Sequence, residues 1–191
     1  MKESLKLIGT LTSICIIAGA LLAFVYGATA ERIEAVSQMR TAAAAADVLP
    51  PHDHIDEAFE IEHEGKSFLF SPAYRSDGQH VGYAIEFSTS AGYAGDIRMM
   101  LGLDDEGMTT GLVILPGHSE TPGLGAKITE SSFLDAFSDK AIDKTDWRVS
   151  KDGGEIDEIT AATISSRAVA EAVKSVADAL EAQESKVTEG I

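Results

Sequence analysis

The chain has 191 residues, 45% of them apolar, and a formal net charge of −16. That charge excludes nucleic acid and anionic lipid surfaces as main partners, because both would be repelled. The one cysteine, Cys15, lies in an apolar stretch, so neither an internal disulfide nor a thiolate iron–sulfur or zinc site can be built.

Residues 7–30 carry no charge and exceed the ~20 residues a helix needs to cross the hydrocarbon core. Lys2 and Lys6 precede the stretch and Glu31 follows it, which places the N-terminus in the cytoplasm and the rest outside. Ala28-Thr29-Ala30 has the small-x-small form of a signal-peptide cleavage site, but the apolar run is far longer than the ~7–15 residues of a signal core. A retained anchor over 1–30 is the expectation. Thr12-Ser13-Ile14-Cys15 has the outline of a lipoprotein site, against which the bulky Ile14 argues.

Residues 31–58 are expected to form a helical stalk and connector. Ile33, Val36 and Met39, then alanines 42–46, suit a helix that Pro50-Pro51 ends. Its apolar face could pack on neighbours or it could be a spacer. His52-Asp53-His54 contains metal-ligand residue types, but it follows two prolines in a polar connector with no further ligand identifiable. A solvated loop is the simpler account.

From residue 59 the pattern turns to strands. Segments 67–75, 80–89, 95–103 and 108–116 are rich in aromatic, branched or alternating apolar residues, and Gly- and Asp-containing turns separate them. This predicts an antiparallel meander, with Tyr83, Phe87 and Tyr93 as core rings. The next stretch, Gly117 to Ile128, is a Gly/Pro-rich loop whose bare N–H groups could approach a planar ligand. It is neither a dinucleotide fingerprint nor a P-loop. A short helix within 129–137 begins at Thr129 or Ser131, and Trp147, Arg148 and Val149 suggest one more strand.

The motif Asp157-Glu158-Ile159-Thr160-Ala161-Ala162-Thr163-Ile164-Ser165-Ser166 opens a helix marked by Val169, Ala172, Val173, Val176 and Leu180. Hydroxyls there serve as N-caps, and the same helix end suits a phosphate, since free N–H donors and the positive end of the dipole point at it. Residues 59–185 form the predicted domain and 186–191 a tail. No Ser/His/Asp triad or paired-carboxylate site stands out, so no catalytic or metal residue is assigned.

Asp157-x-x-Thr160-Ala161-Ala162-Thr163 resembles the flavinylation motif of the FMN-binding domain family, with Ala161 where that family usually has Gly. Ser119-Glu120-Thr121-Pro122-Gly123-Leu124-Gly125 is similar to a second signature of the same family, in the right order. The likeness runs from about residue 82 to 173 and includes Gly92-Tyr93-Ala94-Gly95-Asp96-Ile97. With a short anchor, the chain looks most like G subunits of Rnf-type ion-translocating oxidoreductases. C subunits of sodium-translocating quinone reductases are the nearest cousins, and their chains are usually longer.

The resemblance implies FMN joined by its phosphate to the Thr163 hydroxyl. A separate flavin transferase would make the bond, with Asp157 serving its recognition or metal site. It implies that Thr160, Ala162, Ile164, Ser165, Ser166 and the helix-terminal amides surround the phosphate. Glu120, Thr121, Pro122, Gly123, Leu124 and Gly125 would lie around the ring, and Lys127 would offset anionic charge. Partners would be the membrane, membrane flavin subunits and iron–sulfur subunits of one complex.

The implied role is electron transfer between ferredoxin and NAD-type carriers coupled to Na⁺ or H⁺ movement. A stand-alone extracytoplasmic flavin carrier, or a non-redox scaffold or sensor with the hydroxyl motif as a cap, are the alternatives. The fold class is α+β: one N-terminal transmembrane helix, then one extracytoplasmic domain of antiparallel strands with flanking helices.

Overall fold

The computed structural model describes residues 2–189. It begins with helix α1 (Lys2–Val48), which contains an apolar stretch long enough to cross a membrane. Along that stretch Leu7, Ile14, Ile17, Leu21 and Phe24 are exposed, as lipid-facing side chains would be. The helix passes through residue 30 without a break and stops ahead of Pro50-Pro51, where proline can no longer supply the N–H a helix requires.

Six strands follow: β1 (His54–Ile55), β2 (Phe59–His63), β3 (Lys66–Tyr74), β4 (His80–Gly92), β5 (Gly95–Asp104) and β6 (Thr109–Ile114). All pair antiparallel in one sheet of order β1-β3-β4-β5-β6, and β2 also pairs with β3. The four predicted strands agree with β3 to β6 within a few residues. Helix α2 (Ser131–Leu134) lies between two 3₁₀ turns, Gly125–Thr129 and Asp135–Phe137. The last element is helix α3 (Thr163–Glu189). It occupies part of the expected tail, whose last two residues, 190 and 191, lie outside the described residues. The α+β class is as the sequence implies.

The period of two along the strands explains the core. Phe68, Phe70, Ile85, Phe87, Ile97, Met99 and Leu101 turn to one face, where they meet Val169, Val173 and Val176 of α3 together with Phe133 and Phe137. Each fully buried side chain of this size contributes ~1.5–3 kcal/mol. Trp147 stacks on Phe137 with centroids 6.0 Å apart and donates Nε1–H to the Ile142 carbonyl at 2.9 Å.

The opposite face receives the end of α1. Ala44, Ala45, Val48 and Leu49 are buried against Ala73, Val81, Ala84, Met100 and Leu115. Small residues permit this contact: a Cβ at Gly102 would collide with the Val48 carbonyl, which accepts the Thr110 hydroxyl. The alanine run is therefore a packed element of the domain rather than a free spacer.

The predicted strand at residues 147–149 is not one. Only Val149 forms a bridge, to Ile156, and Ser150–Asp152 is a 3₁₀ turn. A sharp reversal after Val149, with Gly153 at φ 88°, leaves no length for a ladder.

Candidate functional site

Three segments distant in sequence converge at one end of the sheet: the tip of the β4–β5 hairpin, the loop after β6 and the first turn of α3. Between them is a cleft of about 490 Å³, lined by Tyr93, by Glu120, Thr121, Leu124 and Gly125, and by residues 161–165. That size falls within the ~300–1,000 Å³ typical of small-molecule sites. Its rim is apolar and open, with Tyr93 67%, Leu124 45% and Ile164 49% exposed. Such a rim offers flat apolar contact, while the helix end behind it offers N–H donors.

The chain turns into α3 through a tight reversal. Ala161 sits in the left-handed region at φ 65°, a conformation that costs a residue with a Cβ ~1–2 kcal/mol. Ser166 holds the reversal: its oxygen accepts the Ile159 N–H at 3.0 Å, and its hydroxyl donates to the Ala162 carbonyl at 3.1 Å. Thr163 then starts the helix, half-buried at the cleft wall, and no hydrogen bond engages its hydroxyl among the described residues. The amides of the first turn have no intrahelical acceptor.

Glu120 fixes the floor. Its Oε1 accepts the Ala94 N–H at 3.2 Å and its Oε2 accepts the Ser165 hydroxyl at 2.7 Å, so one carboxylate joins all three segments. Pro122 and Gly123 are the central residues of a turn closed by Leu124 N–H to Thr121 O at 3.1 Å, with Gly123 at φ 76° as such a turn needs. This turn presents Leu124 to the cleft.

Of the residues singled out in the sequence, Glu120, Thr121, Leu124, Gly125, Ala162, Thr163, Ile164 and Ser165 meet in this cleft. Pro122 and Gly123 shape its loop without lining it. Lys127 and Thr160, with Asp157, line a neighbouring cleft of about 260 Å³ instead. The Ser165 and Ser166 hydroxyls are already donated to protein acceptors, so a phosphate here would depend on backbone amides.

Tyr93, expected in the core, stands exposed at the hairpin tip. The glycines around it, Gly92 and Gly95, were the available signal of a turn rather than a strand interior. Ala161 was also missed as a lining residue.

Outside the cleft, the approach to the motif is held by charge. Asp152 pairs with Arg167 of α3 at 2.6 Å, and hydrogen bonding from that guanidinium lowers the Asp152 pKa. Glu158 accepts from the Ser150 hydroxyl at 2.8 Å and the Lys151 amide at 3.2 Å, and these contacts, the hydroxyl first, lower its pKa.

A model of the FMN-binding domain family matches residues 92–178, a span that includes the cleft segments. The chain is 37% identical over 172 residues to the G subunit of the ion-translocating oxidoreductase complex of Aliivibrio fischeri (strain ES114), covering 83% of this chain and 81% of that protein. It is 35% identical over 187 residues to the protein of the same name from Methanosarcina acetivorans, covering 96% and 97%. Among solved structures, the C subunit of the Na⁺-translocating NADH-quinone reductase from Parabacteroides distasonis is similar with a TM-score of 0.50 and 25% identity, over 66% of this chain and 74% of that one. On these relatives, which share most of its length, the chain belongs to the family of G subunits of ion-translocating oxidoreductase complexes.

Proposed function

We propose that this chain is an electron-transfer subunit that carries FMN covalently, through a phosphoester on Thr163, in a membrane complex. The complex would couple electron transfer between ferredoxin and NAD-type carriers to Na⁺ or H⁺ movement. The observation that carries the reading is the unengaged Thr163 hydroxyl in a residue that lines the same cleft as Glu120, Thr121, Leu124 and Gly125 of the second family signature.

FMN, when bound, supplies one- or two-electron chemistry, while the protein supplies position and electrostatics. In this reading the amides of the first α3 turn hold the phosphate. Leu124, Ile164 and Tyr93 cover the ring, and Thr121 orients its polar edge. Among the described residues no hydrogen-bond partner engages the Thr163 hydroxyl to activate it, so in this reading a flavin transferase makes the bond, and the exposure of Asp157 is compatible with recognition by such an enzyme. The lysines before the anchor over 1–30 support an orientation with the domain, from residue 59 to 185, outside the cytoplasm.

The near full-length match to G subunits favours this role over that of a quinone-reductase C-type chain. Co-expression with a flavin transferase, in-gel flavin fluorescence and peptide mapping test the reading. Fluorescence should follow wild type and vanish in Thr163→Ala, with the flavin mass on the Thr163 peptide. Flavin mapped to another residue would refute the assignment.

A further inference from the structure

Glu120 does more than close the loop. Its side chain is buried, with the residue 5% exposed, and it lines the floor of the cleft. Both hydrogen-bond donors to it, the Ala94 amide and the Ser165 hydroxyl, are neutral groups. Among the described residues it has no salt-bridge partner; His118, two residues earlier, makes no hydrogen bond to it, and Lys127, the nearest lysine or arginine in sequence, lines the adjacent cleft.

Two glycines make room for this carboxylate. A Cβ at Gly125 would collide with Oε2, and one at Gly92 would stand 2.8 Å from Oε1. Neutral donors hold a carboxylate without cancelling its charge, and a charge removed from water acts over a longer range than an exposed one.

We propose that Glu120 shifts the reduction potential of the flavin by holding in the same cleft a buried negative charge that no cationic side chain pairs. The inference rests on the reading that FMN is tethered at Thr163. When a reductant delivers two electrons and solvent delivers one proton, an initially neutral oxidised ring acquires one net negative charge. The field of Glu120 opposes that charge, so the ring is harder to reduce than in a neutral pocket. Glu120 acts here as a positioning and electrostatic residue, and it exchanges no electrons itself.

Two substitutions at the Ser165–Glu120 contact have opposite electrical consequences. Glu120→Gln removes the charge; Ser165→Ala keeps the charge and removes a donor that screens it. The full-length protein in detergent, flavinylated by co-expression, is titrated with dithionite against redox dyes at pH 8. The midpoint potential should move positive in Glu120→Gln and negative in Ser165→Ala.

No positive shift in Glu120→Gln, or shifts of both variants in one direction, would overturn the proposal and leave Glu120 a purely structural tie. If Glu120→Gln does not retain flavin, Ser165→Ala decides alone: a negative shift supports the proposal, and no shift or a positive one overturns it. Wild-type protein with no flavin on Thr163 would instead refute the underlying functional reading.

Discussion

Replacing Gly125 with Ala tests the geometry of the cleft at its tightest point. The added Cβ would overlap Glu120 Oε2 and lie 2.8 Å from Ser165 Oγ. The carboxylate is the end of a side chain, but it is not free to swing, because Ala94 N–H and Ser165 O–H both hold it in a buried position. Overpacking of this kind costs ~1–3 kcal/mol. Displacing the carboxylate also weakens a hydrogen bond to a charged group, worth ~1.5–3 kcal/mol. The two penalties overlap, since moving Glu120 relieves one by incurring the other, so a loss of about 2–4 kcal/mol is expected.

For a domain of this size each kcal/mol shifts the melting temperature by ~2–4 °C, so Tm should fall by roughly 4–16 °C. Trp147, the one tryptophan and buried at 2% exposure, reports unfolding by its fluorescence. The measurement is a thermal melt of the full chain in mild detergent, beside Leu124→Ala as a control at an exposed position. A Gly125→Ala variant that melts within a degree of wild type would show that Glu120 is not held as described.

Three further outcomes follow from the same structure. Gly102→Ala should lower stability by ~1–3 kcal/mol, because its Cβ meets the Val48 carbonyl; proteolysis within 40–51 should become faster, and an unchanged digestion pattern would contradict docking of the helix end. Ala161→Gly should be neutral to about 1 kcal/mol stabilising, since relief of left-handed strain at φ 65° is partly offset by unfolded-chain entropy; destabilisation beyond ~1 kcal/mol in a denaturant melt would contradict it.

The third concerns acid. Arg148 hydrogen bonds lower Asp146 to about 2, so this contact stabilises the fold above the ordinary carboxylate range and is lost as pH falls through about 2. Asp146→Asn should therefore narrow the difference in Tm between pH 6 and pH 2. An acid dependence identical to wild type would remove the contact from the account.

Much of the fold was legible because burial imposes period two on a half-covered sheet. Phe68, Phe70, Ile85, Phe87, Ile97 and Met99 alternate along β3 to β5 as that rule requires. The five-residue edge strand β2 was not separable from its surroundings, being short and rich in glutamate. Trp147 and Val149 have strand-like chemistry, but they are buried by a loop that reverses at Gly153, which residue type alone does not reveal.

In the site, local features carried furthest. The Pro122-Gly123 turn and the opening of α3 could both be placed from neighbouring residues. The roles of Ser165 and Ser166 could not, because hydroxyls at a helix start suit a phosphate and protein acceptors equally. What decides for Ser165 is a carboxylate 45 residues earlier in the chain. Likewise the alanines of 42–46 announce a helix but not the glycine at 102 that receives it.

The central claim is that one side-chain oxygen, Thr163 Oγ1, holds the redox group. Intact-mass analysis of the full-length protein matured with a flavin transferase, followed by fragmentation of the Thr163 peptide, tests it most directly. The account predicts a single flavin phosphate adduct on Thr163 that is absent from Thr163→Ala. An unmodified Thr163 in the matured protein would contradict it.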